Sequence, residues 1–276
     1  MSSTCDHPSS VPREIEFLIT AKTYPHPSTS YDEIVCTGGI TASGEWIRLY
    51  PLPFRYLDGS QAFKKYQWVT CKAFKHLSSR DPRPESYRPV LESIVPGRIV
   101  GTTNHWEERR RFLLPYARQS MEEIQARWRQ TRESVGIFKP KEVIKVLVEP
   151  DAAEWSQKHR EHMSQLRLFG RQPKMLEKVP WRFRYVYRCD DPDCGSLHKQ
   201  TVRDWEIFQL YRRIRDEHNE QEAVRAVQSK LDELFSERYD TYFIVGSVGK
   251  KPSFIIGGLF YPTRARGGLL SLWADA

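Results

Sequence analysis

The chain has 276 residues, of which 39% are hydrophobic and 12% aromatic. This is enough apolar material for packed cores, which excludes wholesale disorder. No stretch approaches the ~20 apolar residues that a membrane-spanning helix needs, so we expect no membrane partner. Lys and Arg outnumber Asp and Glu by 43 to 35, which gives a net charge of +8 and a pI near 9.2. Such a surplus attracts polyanions, and together with the aromatic content it favours nucleic acid as a partner.

Residues 1–13 predict a flexible lead. The first ten of them lack the basic and apolar regions of a secretory signal. Five cysteines are an odd and sparse count for a secreted disulfide scaffold, and they favour a reducing compartment. We therefore expect a cytoplasmic protein.

Residues 14–118 predict a first β-module. Short runs of β-branched and aromatic residues, separated by glycine-containing turns, indicate strands at 15–22, 33–37, 45–50 and 66–74. A further strand within residues 90–100 would close a five-stranded antiparallel unit, and this count suits a small barrel of the OB type.

A proline-rich segment at residues 81–89 precedes that last strand. Its three prolines predict a stiff loop that is neither helix nor central strand. The loop would hold Arg83 and Glu85 in fixed directions, either to grip a phosphate or base edge or to lock the loop to the barrel.

Residues 119–178 predict a helical connector followed by a loop. Ser120 and Glu123 form a capping box, and apolar residues recur at helical spacing until Gly136. Residues 143–148 then read as a buried strand, and the polar stretch after 150 predicts a helix and a loop.

Residues 179–262 predict a second module, and residues 263–276 a tail. An alternating strand at 180–189 places Arg182 and Arg184 opposite its aromatic residues. Two helices follow, the second starting at a capping box at Asn219, and a pair of strands closes the module. The predicted fold class is therefore α+β, with two small OB-like antiparallel β-barrel modules and connecting and C-terminal helices.

Cys189, Cys194 and His198 lie between the second module's aromatic strand and its helices. The Cys-x4-Cys-x3-His spacing is typical of a zinc knuckle, so a structural zinc is predicted at these residues. A closed site needs a fourth ligand, for which the sequence offers Asp190, Asp193, Cys36, Cys71 or water. Three protein ligands plus water would instead form a catalytic zinc site, and a metal-free hairpin is the remaining alternative.

Basic residues adjoin aromatic residues on several predicted strands. OB barrels bind single strands by stacking bases on strand aromatics while basic groups follow the phosphates, although most aromatics of any protein fill its core. The predicted nucleic-acid-binding residues are Arg48, Lys64, Lys65, Trp68, Arg83, Arg109, Arg110, Arg111, Arg182 and Arg184.

Stretches at residues 20–25, 44–51, 187–189 and 254–262, among others between about 15 and 262, resemble an uncharacterised bacterial family described as carrying a dual-OB domain. Members of that family tend to be associated with defence or mobile-element gene neighbourhoods. The resemblance implies accessory work on nucleic acid within a larger protein complex. It implies no catalytic residues.

We therefore expect a non-catalytic, nucleic-acid-binding accessory or adaptor subunit of a bacterial defence or mobile-element system. One alternative is a metal-dependent nuclease or nucleic-acid-modifying enzyme that uses Asp81 and Glu85 or a metal at the knuckle. A second alternative is a protein-binding adaptor that docks through the predicted helix at 219–238.

Overall fold

The computed structural model describes residues 11–28, 32–75, 81–166, 175–195, 197–249 and 253–265. Most of the predicted lead and tail, residues 1–10 and 266–276, lies outside this part of the chain. The described residues form an α+β fold in two halves. None of their helices is both long enough and apolar enough to cross a membrane.

The amino-terminal half is mostly β-structure. Its elements are β1 (Arg13–Lys22), β2 (His26–Ser28), β3 (Asp32–Ile34), β4 (Thr37–Ile40), β5 (Trp46–Leu49), β6 (Gln67–Lys75), β7 (Ser86–Pro89), β8 (Val95–Ile99) and helix α1 (Thr103–Leu113). Five strands pair in the order β1–β4–β5–β7–β6, and β6 pairs back with β1 to close a barrel. All of these pairs are antiparallel except β5–β7, which is parallel, so the wholly antiparallel barrel that the sequence predicted is wrong at this pair.

The strand that closes this barrel lies in the proline-rich segment, where the sequence predicted a loop. Residues 90–100 contribute only β8, which adds to β6 outside the closed ring. The prolines do not prevent the pairing with β5 because none of them takes part in it: Pro82 and Pro84 precede β7, and Pro89 lies opposite Ala73 of β6. Toward β5 the segment accepts hydrogen bonds, from Arg48 N to Glu85 O and from Tyr50 N to Tyr87 O.

The carboxy-terminal half contains two sheets. Its elements are β9 (Ala117–Arg118), α2 (Met121–Thr131), β10 (Val135–Phe138), β11 (Glu142–Pro150), α3 (Gln157–Leu166), β12 (Trp181–Arg188), β13 (His198–Thr201), α4 (Trp205–Glu217), α5 (Glu220–Glu233), β14 (Tyr242–Val248) and β15 (Ser253–Phe260). One sheet has the order β15–β14–β10–β9 and the other β11–β12–β13. Val202, which follows β13, forms a parallel bridge with Ile256 of β15 and links the two sheets.

Several elements that the sequence assigned to a connector belong to these sheets. Helix α2 begins as predicted, with Ser120 Oγ accepting Glu123 N at 3.0 Å, but it ends at Thr131 rather than Gly136. Gly136 lies within β10, where an added Cβ would approach Ile124 of α2 to 2.9 Å. The glycine thus allows close packing of helix on strand, which explains why it is not the helix terminus that the sequence predicted.

The buried apolar residues form three hydrophobic clusters. One fills the amino-terminal barrel, and another, rich in aromatic residues, fills the carboxy-terminal half between its sheets and helices. The third lies between the halves, where Leu18, Ile40 and Trp68 of the barrel pack in one cluster with Ile137 and Ile244. One outer face of the barrel is therefore covered by the carboxy-terminal half.

A buried ion pair also joins the halves. The Lys65 ammonium lies 2.9 Å from Asp204 Oδ2 and 2.9 Å from Leu259 O. Asp204 caps α4 by accepting Glu206 N and also accepts Leu259 N. Burial disfavours the charged amine, but Asp204, Tyr66 and Glu206 together outweigh it and hold the pKa of Lys65 well above its usual value. The charged lysine therefore fixes α4 and β15 against the barrel.

Candidate functional site

The predicted zinc ligands come together in the carboxy-terminal half. Cys189 follows β12, Cys194 lies in the next loop, and His198 begins β13. The structure adds Glu122, from the first turn of α2. The ligand atoms of these four residues all lie within 4.8 Å of one another.

The geometry directs polar atoms toward one point. His198 Nε2 lies 2.6 Å from Glu122 Oε1 and 3.4 Å from Cys194 Sγ, and Cys189 Sγ accepts a hydrogen bond from Met121 N. Glu122 Oε2 is buried and has no hydrogen-bond partner among the described residues. Such an unsatisfied buried oxygen is rare and indicates an additional group, such as a metal ion, at this position.

Without a cation, the surroundings of the cluster favour the ionised form of Glu122 and the neutral form of Cys189. Burial raises the pKa of the Cys189 thiol, and the nearby Glu122 acts in the same direction. Burial also opposes ionisation of Glu122, but hydrogen bonds from its own backbone and from Cys189 lower the pKa of the carboxyl overall. A bound cation would stabilise both the carboxylate and the thiolates.

The loop that carries the two cysteines is held in place by α2. Ser120 Oγ donates to Asp191 Oδ2 at 2.6 Å, and Gln119 Nε2 donates to Asp190 O at 2.9 Å. The ring of Tyr187 stacks on His198 with centroids 5.0 Å apart. These contacts orient the ligands without any contribution from a metal.

The fourth ligands that the sequence offered lie elsewhere. Asp190 forms an ion pair with Lys141 at 3.0 Å, and Asp193 is exposed. Cys36 is next to Arg48 in the amino-terminal half, and Cys71 is buried in the barrel core. Glu122 was missed because it lies 67 residues before Cys189 in the chain, and only the fold brings α2 to the loop.

The proline-rich segment is held by internal contacts. Asp81 accepts hydrogen bonds from Arg48 at 3.4 Å, from Arg83 at 3.1 Å and from Ser86 at 2.9 Å. Glu85 is buried and accepts hydrogen bonds from the backbone and side chain of Ser134. Arg83 also donates to the Gly249 carbonyl and the Ser247 hydroxyl, in the other half. The segment therefore connects the two halves through side-chain hydrogen bonds.

Most of the other predicted nucleic-acid residues of the amino-terminal half are also engaged within the protein. Trp68 is 8% exposed and belongs to the cluster between the halves, and Lys65 is buried against Asp204. Arg109 is buried and donates two hydrogen bonds to the Val100 carbonyl.

Three predicted residues keep more solvent contact. Arg110 is half-buried beside Asp240, and Arg111 is exposed beside Glu107. Lys64 is exposed. The structure therefore does not bring the ten predicted residues together on one surface.

Arg182 and Arg184 lie on the outer face of the β11–β12–β13 sheet. The register places Leu147, Arg184 and Thr201 opposite one another, so these side chains share a face. Arg184 pairs with Glu149, and Arg182 pairs with Asp151, each at 3.3 Å. The Nε atoms of both arginines are buried without a hydrogen-bond partner among the described residues.

Further cations lie on the same face. Lys145 and Lys199 flank Val186 from the two neighbouring strands, and Arg188 lies opposite Glu142. We call these five side chains the basic face: Lys145, Arg182, Arg184, Arg188 and Lys199. The sequence did not reveal Lys145, Arg188 and Lys199 because their proximity depends on the strand register, and β13 was not predicted.

The chain matches two family models. Residues 13–115 match a domain of unknown function, DUF8758, and residues 117–272 match a second domain of unknown function, DUF8757. No curated protein matches the chain. The two matches agree with the two halves of the fold and confirm a two-domain layout. The chain belongs to the DUF8757 family, with a DUF8758 domain preceding the DUF8757 domain.

Proposed function

We propose that this protein binds nucleic acid through the basic face, as a non-catalytic accessory subunit. The observation that carries the proposal is the set of five cations on one outer sheet face. Three carboxylates, those of Glu142, Glu149 and Asp151, lie beside them, so positive charge prevails. A surface of this kind suits a chain of phosphates.

Strand order supports an OB assignment for both halves. In the amino-terminal barrel the first strand pairs with the second and fourth, and the third and fifth strands are parallel. The carboxy-terminal half follows the same order when β10 and β11 are taken as one bent first strand, since Val202 and Ile256 supply the parallel bridge. OB folds bind oligonucleotides on their second and third strands, which here are β12 and β13.

The composition of the face suggests what is recognised. Three of the four aromatic residues of β12, Phe183, Tyr185 and Tyr187, are buried in the core, and the fourth, Trp181, packs against the same core from the opposite side to this face. The exposed groups are guanidinium and ammonium ions, which contact phosphates rather than base edges. We therefore expect the face to bind with little sequence preference and with strong salt dependence.

Fluorescence anisotropy with labelled single-stranded DNA, single-stranded RNA and duplex DNA tests the proposal. With about four phosphates neutralised, the logarithm of the affinity for a single strand falls with the logarithm of salt concentration with a slope of about −3. The double variant Lys145→Glu/Lys199→Glu loses most of this binding. Failure of every probe to bind at about 50 mM salt overturns the proposal, because electrostatic binding is strongest there.

We further propose that Glu122, Cys189, Cys194 and His198 bind a structural zinc ion. Two sulfurs, one nitrogen and one oxygen are a donor set that zinc accepts in tetrahedral sites, and four protein ligands leave no open position for catalysis. The ion would join α2 to the ends of β12 and β13. It would thereby hold in place the strands that carry the basic face.

Metal analysis of the purified protein tests the zinc site. One equivalent of zinc per chain is expected, with loss in Cys194→Ser and retention in Cys36→Ser, which alters a cysteine outside the cluster. Less than about a third of an equivalent in the unaltered protein contradicts a structural site, since such sites are normally filled.

The larger assembly that the sequence analysis expected remains a prediction. The nuclease alternative gains no support from Asp81 and Glu85, whose carboxylates bind Arg48, Arg83 and Ser134 inside the protein. The protein-docking alternative depends on α5, whose apolar residues Val227 and Leu231 are buried in the core of this chain.

A further inference from the structure

A cavity of about 250 Å³ lies where the two halves meet beside α3. Tyr24 and His26 come from the amino-terminal half. The other lining residues come from the loop after β11, helix α3, the segment before β12, Arg203 just after β13, and Phe208 of α4. We call this cavity the α3 pocket. The lining residues that matter here are Tyr24, His26, Trp155, His159, Lys178 and Arg203.

The α3 pocket contains one cation that forms no ion pair with the residues that the structure describes. Arg203 is half-buried, and no carboxylate of the described residues forms an ion pair with it. Burial lowers the pKa of its guanidinium, although Asp151 partly compensates. Lys178 adds a second cation, but its ammonium is paired with Asp151 at 3.2 Å. Arg203 is therefore the group available to an anion.

The α3 pocket also has aromatic walls. Trp155 is fixed by a hydrogen bond from its indole nitrogen to Leu176 O at 2.9 Å. The His26 ring lies edge-on to the Trp155 ring, with the two centroids 5.2 Å apart. The His159 ring lies edge-on to the His26 ring, with centroids 5.7 Å apart. Flat rings beside a cation are the combination that recognises a nucleobase and its phosphate.

The size of the α3 pocket restricts its ligand. Pockets for drug-sized ligands measure roughly 300–1,000 Å³, so a cavity of about 250 Å³ suits one base with its phosphate rather than a longer segment.

The α3 pocket is continuous with the basic face. Asp151 lines the pocket and forms the ion pair with Arg182, the last cation of the face in this direction. Pro150 and Trp181 pair at the same end of the sheet. A strand that follows the basic face toward this end therefore reaches the pocket opening.

We propose that the α3 pocket binds a single unstacked nucleotide of the nucleic acid held on the basic face. Arg203 contacts the phosphate, and the aromatic rings contact the base. The inference rests on the proposed function, but it adds a base-contacting site that the basic face lacks. The halves of the chain would thus build one binding site together, since Tyr24 and His26 come from the other half.

Isothermal titration of the full-length protein with AMP and with UMP tests the pocket. Both should bind, and adenosine, which lacks the phosphate, should bind at least about tenfold more weakly because the charge-assisted contact to Arg203 is lost. Arg203→Gln and His159→Ala should each weaken the binding of AMP by a similar factor. Arg225→Gln, which alters an exposed arginine of α5 outside both the pocket lining and the basic face, should leave AMP binding unchanged. Circular dichroism checks that each variant is folded.

The outcomes separate this inference from the proposed function. If oligonucleotides bind but AMP and UMP give no heat at millimolar concentration, the α3 pocket is not a nucleotide site while the basic face stands. If mononucleotides bind and no oligonucleotide does, the pocket stands and the proposed function fails. Equal AMP affinity in the unaltered protein and in folded Arg203→Gln overturns the assignment of the phosphate contact.

Discussion

The outer faces of the two halves differ in their exposure: one is covered by the other half, and one is open to solvent. On the amino-terminal barrel, Leu18, Ile40 and Trp68 point outward and are buried against the carboxy-terminal half. On the β11–β12–β13 sheet, Arg182 and Arg184 point outward and keep contact with solvent. Both β6 and β12 contain aromatic and basic residues, so this composition alone does not tell which face is covered. A face is covered when its outward-pointing residues are apolar enough to be buried by a neighbouring element.

The largest effect is expected at the ion pair that joins the halves. Asp204→Ala leaves the Lys65 charge buried without its partner and also removes the cap of α4. We expect the free energy of unfolding, measured by urea denaturation, to fall by about 3–5 kcal/mol. Glu222→Ala, which breaks the exposed pair with Arg225, is the control and should change it by less than about 0.5 kcal/mol. Equal effects of the two changes would mean that the junction does not hold the halves together.

Trp68 provides the next test of the covered face. Trp68→Ala removes a large side chain from the cluster between the halves, and the unfolding free energy should fall by about 3 kcal/mol. Ile144, which is 42% exposed on β11, is the matched apolar residue of the other half. Ile144→Ala should change stability by less than about 0.5 kcal/mol. If Trp68→Ala instead left stability unchanged and reduced oligonucleotide binding, Trp68 would be the stacking residue that the sequence predicted.

A second buried lysine near the junction makes a pH-dependent comparison possible. The Lys22 ammonium lies 3.9 Å from the Phe54 ring centre, and burial lowers the pKa of Lys22 from 10.5 to about 8. Between these values the unfolded chain holds the proton and the folded chain does not, so this group's contribution to stability rises as the pH rises.

Lys22→Met should therefore be more stable than the unaltered protein at pH 7 by about 3 kcal/mol, with the difference shrinking toward pH 10. Parallel urea titrations of the two proteins at several pH values measure this. A difference that stays constant with pH would show that Lys22 does not titrate in this range.

The smallest effect on stability is expected on the basic face. Lys199 is exposed and its pair with Glu149 is at the surface, so Lys199→Ala should change the unfolding free energy by less than about 0.5 kcal/mol. Thermal unfolding of the variant measures it. A loss above about 2 kcal/mol would place Lys199 among the structural residues and would remove the contrast between the two faces.

Local signals in the sequence predicted much of the fold. The caps at Ser120 and Asn219 start α2 and α5 where expected, because each satisfies a free N–H within its own first turn. The strand alternation in β12 correctly separated Arg182 and Arg184 from the aromatic core. These features depend only on neighbouring residues.

Features that depend on distant contacts were not predictable. Glu122 joins the cysteine–histidine cluster only because α2 packs beside β13, and Lys65 is buried only because Asp204 meets it from the other half. Strand β7 escaped prediction because the prolines around it indicate a loop, although Pro82 and Pro84 precede the strand and Pro89 is only its last residue. Charge and aromaticity marked Lys65 and Trp68 as ligand-binding residues, but neither property reveals burial by a second half.

Charge reversal on each half tests the central claim most directly. Arg184→Glu lies on the basic face, and Lys64→Glu alters an exposed lysine of the amino-terminal half. We expect Arg184→Glu to weaken oligonucleotide binding in anisotropy titrations by at least about tenfold and to flatten the salt dependence by about one unit of slope, because it removes a phosphate contact. Lys64→Glu should leave the affinity for the oligonucleotide within about twofold of that of the unaltered protein. The reverse result, with Lys64→Glu abolishing binding and Arg184→Glu having no effect, would contradict a binding surface on the β11–β12–β13 sheet.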